Sequence, residues 1–559
     1  MKQLLLLVRT LAHLRPTQVL AQIIKRVLPS PTQIPQIHGL RLRPGVGLSP
    51  CFLHSCLPGR DHAFYFLNQE KIFPDGGIDW ASKEMPKLWR YNLHYFDYLF
   101  DSGRSHDMQT HLITDWIAKN PPCTGEGWEP YPLSLRIVNW IKFFLQVDAA
   151  LQEEWLQSLY KQALWLEKNI EYHILANHYL KNGVALFFAG VFFDGVDAGR
   201  WMKKGLKILR EEVAEQFLAD GGHYERSLMY HSICVTDLLD VLNFSQNSQS
   251  AISAEETSPL RGTVTASLNF LNEICLPDSE IPLFNDSAFR IAPSPRRIFD
   301  YARIVIGYEP FVRTTGLVIH EKPQSGYYIC CNGRDAIIVD CGAIGPDYQP
   351  GHAHCDTLSY ELTISGQRVI VDSGVFDYEP SSERAYARST RAHNTVVVDG
   401  EEQSEIWGVF RVARRAKPIQ ASFEKQVDGS VLFKGSHDGY VRLTGKPIHT
   451  RQLSYDGKER WVIKDRLEGR GTHRMESYIH IHPDFQIVKS ESGIHVIEPN
   501  GSTLAIIDAL ESCHTRVEQG WYFPEFGLKR ENHVIVFTCS GEVPLDLSYR
   551  IQKASGQNQ

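Results

Sequence analysis

Three histidines and one aspartate stand at the ends of short apolar segments within residues 351–400: His352, His354, Asp372 and His393. Side chains in such positions can converge while the strands behind them stay packed, which is how a site is built on a rigid scaffold. Two imidazoles and one carboxylate form a ligand set that suits zinc and also accepts manganese. Short histidine patterns are equally compatible with ordinary polar strand ends that hydrogen-bond the backbone.

A β-hairpin is predicted to bring these residues together. Apolar and polar residues alternate over 358–364, and after a Ser-Gly turn the segment 368–371 continues as a second strand. His354 precedes this hairpin and Asp372 follows it, so the two residues are expected to be neighbours in space. His393 lies just before another apolar run and could join them.

A GxHxH start followed by a glutamate and a histidine also resembles the cupin pattern. Here Glu361 lies too far beyond His354 for cupin spacing, and no PxG precedes His393. A cupin-like site therefore stays only as an alternative.

Composition limits the class of protein. A chain of 559 residues exceeds what one core usually supports, so two large domains are expected. The net charge of -7 argues against nucleic acid as the main partner. The 11 cysteines are scattered without a CxxC pair, so nothing in their spacing requires an oxidising compartment.

The N-terminus begins like a signal peptide, but Arg9 interrupts the apolar run and no small-residue cleavage site follows. We therefore predict an amphipathic helix that could make peripheral contact with a membrane, and a cytoplasmic rather than periplasmic location. No apolar run approaches the length of a transmembrane helix.

The remaining pattern predicts an α+β multidomain protein. Residues 1–85 form a Pro-rich lead-in arm, and residues 86–312 carry helical periodicity. The predicted helical segments are 112–119, 133–145, 153–168, 177–193, 205–217, 229–244 and 264–275. Consecutive helices with short loops can stack into an incomplete α/α toroid. Short β-rich runs over 313–559 predict an antiparallel β-sandwich, with a cleft between the two domains.

Polar residues interrupt the helical half in several places, among them residues 176–183 and 220–231. Taken singly, Asn177 could be a helix cap, His178 a core histidine and Tyr230 a core aromatic. In combination, an amide, a phenol and a histidine are the groups needed to remove a proton beside a carboxylate and to protonate a leaving oxygen.

Five motifs in this order resemble those of the heparinase II/III family of polysaccharide lyases, over roughly residues 90–420. They are NHYLKNG at 177–183, DGGHYERSLMYH at 220–231, GHAHCD at 351–356, VDSG at 371–374 and AHNTVVVDG at 392–400. The resemblance implies the same toroid and sandwich. It also implies a structural zinc-like ion, with manganese possible, held by His354, Asp372 and His393.

The resemblance further implies roles in the cleft. Asn177 is expected to neutralise a uronate carboxylate, while Tyr230 and His352 act as the acid/base pair. Further residues expected at the substrate are His178, Arg136, Glu225 and Arg226, with Lys181, Arg388 and Arg391 as additional candidates for a basic lining.

The implied reaction is β-elimination on a uronate-containing, anionic polysaccharide of glycosaminoglycan, capsular or exopolysaccharide type. Two alternatives stay open. An α/α-toroid glycoside hydrolase would need two facing carboxylates, for which Glu129 and Glu225 are candidates. A non-catalytic polysaccharide-binding or assembly protein would have no need for the combination of Asn177, Tyr230 and His352.

Overall fold

The computed structural model of the chain places most helices before most strands. It describes residues 2–27, 33–35, 37, 39–49, 62–74, 77–101, 103–146, 151–312 and 314–554. The helices are α1 (Lys2–Leu11), α2 (Pro16–Val27), α3 (Lys87–Tyr95), α4 (His106–Lys119), α5 (Pro130–Phe144), α6 (Glu153–Lys168), α7 (Ala176–Phe192), α8 (Val196–Gln216), α9 (Leu228–Gln246), α10 (Ala254–Ile274), α11 (Pro295–Ile306) and α12 (Ser382–Ala387).

Helices α3 to α11 form an α/α toroid. The odd-numbered helices α3, α5, α7, α9 and α11 contact one another in sequence as an inner ring, and α6, α8 and α10 pack outside them. The sequence explains why α7 is an inner helix and α8 an outer one. Helix α7 is apolar on nearly all sides and is almost completely buried, whereas α8 is amphipathic and leaves one face to solvent.

All seven predicted helical segments lie in helices, although α4, α8 and α10 begin earlier than predicted. The first turns of these three helices carry mostly polar or exposed residues, so apolar periodicity gives little signal there. Helices α3 and α11 were not predicted. The lead-in arm contains α1, α2 and a small hairpin, and residues 50–61 of it lie outside the described residues.

The strands follow the toroid, apart from the hairpin in the lead-in. They are β1 (Ala63–Phe66), β2 (Gln69–Ile72), β3 (Leu317–Lys322), β4 (Tyr327–Asn332), β5 (Asp335–Asp340), β6 (Tyr360–Ile364), β7 (Gln367–Ile370), β8 (Val396–Val398), β9 (Ile406–Trp407), β10 (Arg411–Val412), β11 (Pro418–Lys425), β12 (Val431–His437), β13 (Ile448–Tyr455), β14 (Arg460–Glu468), β15 (Thr472–His480), β16 (Gln486–Ser490), β17 (Gly493–Ile497), β18 (Thr503–Ala509), β19 (His514–Glu525), β20 (Leu528–Glu542) and β21 (Leu545–Lys553).

Three antiparallel sheets build the sandwich. The first has the order β11-β12-β13-β14-β21-β18-β17-β16, the second β19-β20-β15-β8 and the third β3-β4-β5-β6-β7. The eight-stranded sheet packs on the other two, which adjoin where Ile370 bridges Ile481. The fold is therefore an α/α toroid followed by an antiparallel β-sandwich, as the sequence predicts.

Strand β4 joins the two domains, because both of its faces are buried. Tyr327 and Ile329 pack into the core of the toroid, whereas Tyr328 and Cys330 pack into the core of the sandwich. Successive side chains of a strand point to opposite faces, so one short segment contributes to two cores.

The contact between α7 and α8 depends on small residues, which gives a stability test. We expect Gly190→Ala to lower the free energy of unfolding by about 1–3 kcal/mol, because overpacking forces neighbours apart. A Cβ at Gly190 would lie 2.3 Å from the backbone nitrogen of Met202. Equilibrium chemical denaturation measures the change.

The matched control is Gly199→Ala in α8, where an added Cβ meets no described atom within 4 Å. This variant should be neutral or stabilise the protein by up to about 1 kcal/mol, because alanine favours helices over glycine. Equal losses in both variants would contradict the close-contact explanation.

Candidate active site

The predicted hairpin is present as β6 and β7, and it brings the predicted metal ligands together. His354 lies before β6, Asp372 follows β7 and His393 precedes β8. One ligand atom from each of these three residues lies within 4.8 Å of the others, and all three side chains are buried.

Two unsatisfied nitrogen atoms show that this group fits a divalent cation. His354 Nε2 is hydrogen-bonded to Asp286, and His393 Nδ1 is hydrogen-bonded to Asp372. Among the described residues, the buried atoms His354 Nδ1 and His393 Nε2 have no hydrogen-bond partner. Burial lowers the pKa of His354 to about 3, so its imidazole is neutral, as a metal ligand must be. Carboxylates that bind the other nitrogen of each ring fix its orientation.

Asp286 connects the metal ligands to the rest of the site. Its carboxylate binds Nδ1 of His352 at 2.9 Å, Nε2 of His354 at 2.8 Å and the guanidinium of Arg384 through both oxygens. Burial alone would raise the pKa of Asp286, but Arg384 and the two imidazoles hold it well below its usual range. Asp286 is therefore a fixed negative charge.

His352 lies between two carboxylates and two tyrosines. Its Nε2 is 3.3 Å from Glu225, and its ring stacks on Tyr230 with centroids 3.8 Å apart. The hydroxyl of Tyr378 lies 3.2 Å from that of Tyr230 and 3.5 Å from His352 Nδ1. Burial, followed by the neighbouring Tyr378, raises the pKa of Tyr230 well above its usual value, so the phenol keeps its proton.

Tyr230 is placed by the start of α9. Ser227 caps this helix by accepting from the backbone N–H of Tyr230, and its hydroxyl donates to the carbonyl of Asp286 at 2.6 Å. The Ser287 hydroxyl accepts a further N–H from the first turn. The segment that carries Asp286 therefore also fixes the helix that carries Tyr230.

Asn177 lies in the first turn of α7. Its side-chain nitrogen donates to both oxygens of Glu225 at 3.0 and 3.1 Å, and its backbone N–H donates to the same carboxylate. The buried Asn177 Oδ1 has no partner among the described residues. Glu225 therefore links Asn177 to His352.

A cavity of about 1120 Å³ lies beside this group, between the inner helices and the sandwich. Tyr131 and Tyr230 line its wall. The ring of Tyr131 lies tilted against His178, with centroids 4.3 Å apart, and that of Tyr230 stacks on His352 at 3.8 Å. Asn177 and His352 lie next to the wall instead of lining the wide part of the cavity. The volume exceeds that of a usual small-molecule pocket, so the cavity suits an oligomeric ligand.

Acidic groups balance the basic groups of the cavity wall. Four basic side chains are each paired: Arg104 with Asp101, Lys142 with Asp240, Lys181 with Asp237 and Arg290 with Glu525. Burial, followed by the charge of Asp97, raises the pKa of Asp101 to about 7, and burial raises that of Asp97 to about 6. These ion pairs leave the lining without a strong positive field.

Two predicted substrate contacts are corrected by the structure. Arg136 is fully buried in the toroid, where it stacks on Trp116 and binds Gln162. Arg226 donates to the backbone carbonyls of Tyr224, Gln324 and Ser325, so it clamps the toroid to the sandwich. Neither guanidinium can hold a ligand in the cavity.

The other predicted contacts differ in position. Glu225 is buried and binds Asn177, while His178 is partly exposed beside the wall and is bonded to Glu171. Lys181 lines the cavity. Arg388 is buried against backbone carbonyls, so it is not part of a basic lining either.

Three residues of this site were missed by sequence reasoning: Asp286, Tyr378 and Arg384. Asp286 follows the apolar run 281–284 within an Asn-Asp-Ser triplet, which is the same signal of polar residues after a strand-like run that pointed to Asp372. Tyr378 and Arg384 lie in the long connection between β7 and β8, where no periodic pattern marks them.

Two family models match the chain. Residues 56–303 match "Heparinase II/III N-terminus", and residues 315–555 match "Heparinase II/III-like, C-terminal". A heparin-sulfate lyase of Pedobacter heparinus is 27% identical over 73% of this chain and 63% of the relative. A heparin-sulfate lyase of Bacteroides thetaiotaomicron is 24% identical over 72% and 63%. The chain thus spans about 63% of the length of these curated relatives.

The fold also matches a solved structure. A crystal structure of heparinase III superposes with a TM-score of 0.69 at 20% identity, covering 87% of this chain and 80% of that one. This similarity confirms the toroid and sandwich, and it excludes the cupin-like alternative. Among the described residues, no helix is long and apolar enough to cross a membrane.

The unsatisfied nitrogens of His354 and His393 predict that a bound metal ion stabilises the fold. We expect His354→Ala to lose bound divalent metal and to lower the melting temperature by at least about 5 °C, because metal binding contributes to folding. Elemental analysis and calorimetry measure the two effects. His352→Ala, two residues away, is the control and should keep its metal.

Because His354 also binds Asp286, the wild-type protein supplies a second test. Chelation should lower its melting temperature, and adding zinc back should restore it. A metal-free wild-type protein with an unchanged melting temperature would contradict the prediction.

Proposed function

The chain belongs to the heparinase II/III family, and from this premise we propose that it is a polysaccharide lyase. The proposed substrate is a uronate-containing polysaccharide, and the proposed reaction is β-elimination. The observation that carries the proposal is the convergence of Asn177, His352 and Tyr230, through Glu225 and Asp286, beside one large cavity.

His352 is the proposed base that removes the C5 proton of the uronate. When its Nδ1–H donates to the fixed charge of Asp286, the lone pair stays on Nε2. Nε2 is the nitrogen on the side of Glu225 and Asn177, where the substrate carboxyl group is proposed to bind. A positioned base of this kind contributes roughly 10²- to 10⁴-fold to the rate.

Asn177, whose amide is held by Glu225, is the proposed donor to the substrate carboxyl group. Removing the C5 proton places negative charge on this group, and a donor aimed at it stabilises the transition state. In the structure both donors of the Asn177 amide are engaged by Glu225. One of these donors would therefore have to turn from Glu225 towards the substrate carboxyl group when the sugar binds.

Tyr230 is the proposed acid that protonates the departing O4. Its raised pKa keeps the phenol protonated, and it lines the cavity wall directly. The Tyr378 hydroxyl at 3.2 Å can return a proton to Tyr230, since Tyr378 also lies near His352. Uptake of the C5 proton at Nε2 can thus be matched by loss of the Nδ1 proton through Tyr378 to Tyr230, which in turn gives its own proton to the leaving oxygen.

We propose zinc as the ion of the metal site, with manganese as the alternative, because two imidazole nitrogens and a carboxylate form the ligand set. A bound ion would supply structural order by fixing His354, Asp372 and His393 at the ends of the hairpin. His354 and His352 share Asp286, so the ion would hold the base in position without contacting the sugar.

Two alternatives are less well supported. For a glycoside hydrolase, the candidate carboxylates are engaged separately, Glu129 with Lys87 and Tyr91, and Glu225 with Asn177. A protein that only binds polysaccharide would not require a histidine held by a buried carboxylate beside a protonated phenol.

The pairing of basic with acidic side chains at the cavity wall favours a sparsely charged uronate polymer over a densely sulfated one. Four of the five basic side chains that line the described cavity are already paired with carboxylates, and further acidic residues, Glu70 and Glu280, line the same cavity. Sulfates placed beside these carboxylates would be repelled.

Tyr230→Phe tests the acid. The change keeps the ring and its stacking on His352 but deletes the hydroxyl, so we expect turnover to fall by about 10²-fold or more with little change in KM. The ultraviolet absorbance of the unsaturated product end measures turnover.

Tyr224→Phe is the matched control, because its hydroxyl binds Tyr348 away from His352. It should cost much less activity. Wild-type turnover of the same polymer by the Tyr230 variant would show that the assignment of the acid is wrong.

A panel of uronate polymers tests the substrate class. We expect kcat/KM to be at least about tenfold higher for an unsulfated polymer than for a densely sulfated one of the same length, because like charges are repelled at the wall. The difference should shrink at high ionic strength, where charge is screened. The highest activity on the densely sulfated polymer would refute this preference while leaving the lyase assignment intact.

A further inference from the structure

The two N-terminal helices expose the face that helices usually bury. In α2, Gln18 is buried, whereas Leu20, Ile23, Ile24 and Val27 are exposed. Helix α1 follows the same pattern. Its exposed apolar side chains are Leu4, Leu5, Leu7, Val8 and Leu11. The usual arrangement of a surface helix, apolar side inward and polar side outward, is inverted.

Polar contacts hold this inverted pair on the body of the protein. Arg9 binds Glu405 at 2.8 Å, and Thr10 accepts from the indole of Trp407 at 3.0 Å. Further along, Arg15 stacks on the ring of Tyr348, and Gln18 donates to the carbonyl of Tyr348. The polar side is used for attachment, so the apolar side is left for another partner.

The apolar residues are concentrated here. Ten of the twenty-five exposed large apolar side chains of the described residues lie within residues 4–27. A contiguous exposed apolar surface on a soluble chain marks an interaction site, whereas single exposed apolar residues do not.

The charge of the N-terminal region indicates which partner the exposed apolar face binds. Residues 1–60 contain eight Lys and Arg residues and no Asp or Glu, although the whole chain has a net charge of -7. In the structure, Lys25 and Arg26 are exposed at the end of α2, directly beside Ile24 and Val27, and the Lys25 ammonium also lies 2.9 Å from His173 Nε2. Exposed apolar side chains flanked by basic residues are the features with which a helix lies in an anionic lipid interface.

We propose that α1 and α2 attach the protein to the surface of an anionic lipid bilayer. The apolar side chains of both helices enter the interface, and Lys25 and Arg26 contact the acidic headgroups. The polar face keeps its contacts with the body, so the enzyme is held at the bilayer with its fold unchanged. This inference is independent of the proposed reaction.

Vesicle sedimentation with the full chain tests the proposal. The wild type should sediment with vesicles that contain phosphatidylglycerol, and less with vesicles of phosphatidylcholine alone or at high salt. The triple variant Leu20→Gln, Ile23→Gln, Ile24→Gln should bind at least about tenfold more weakly. Lys25→Glu with Arg26→Glu should lose the preference for anionic vesicles.

A matched control carries Val488→Gln, Leu510→Gln and Val517→Gln, which replace exposed apolar residues of the sandwich. It should bind like the wild type, and melting temperatures should confirm that every variant is folded. Wild-type protein that stays in the supernatant, or equal losses in both triple variants, would overturn the proposal. A dimer in sedimentation velocity that only the α2 variant splits, without lipid binding, would assign the face to a second copy instead.

Discussion

The buried carboxylate of Asp286 binds three partners from two separate parts of the chain at once. Arg384 comes from the connection after β7, His352 faces the proposed substrate, and His354 belongs to the metal group. An isolated charge at this depth would be strongly unfavourable, so each partner is needed to hold the others in place. The constraint makes the site a single unit: the position of the proposed base, the metal group and the wall residue Tyr378 cannot be adjusted separately.

The backbone around this unit departs from preferred conformations. Leu175 and Ala176, just before Asn177, have positive φ angles, as do Arg226 beside Glu225 and Asn285 beside Asp286. Such conformations cost of order 1–3 kcal/mol each for residues other than glycine. They lie next to the residues that converge on the cavity, so the packing of the two domains offsets local strain where the side chains must be aimed.

The periodicity of the sequence was sufficient to predict the fold, but it predicted only part of the candidate site. The hairpin that joins His354 to Asp372 could be predicted because a strand alternates visibly and its ends must meet. Asp286 could not, because its role comes from contacts made by distant segments. Arg136 was misplaced for a physical reason: charged residues are usually exposed, but carbonyl groups and the ring of Trp116 satisfy this one inside the toroid. The N-terminal helices were predicted as amphipathic, yet only the structure shows which side faces outward.

Strand β4, which contributes to both cores, affects how the protein unfolds. If the sandwich opened, Tyr328 and Cys330 would lose their core, and the same movement would pull Tyr327 and Ile329 from the toroid. Neither domain can therefore unfold without exposing apolar surface of the other. The toroid and the sandwich are expected to unfold in one cooperative transition. A fragment cut between them would leave either the toroid without part of its core or the sandwich with an uncovered apolar sheet face. The candidate active site lies on this same boundary, so partial unfolding and loss of the site are the same event.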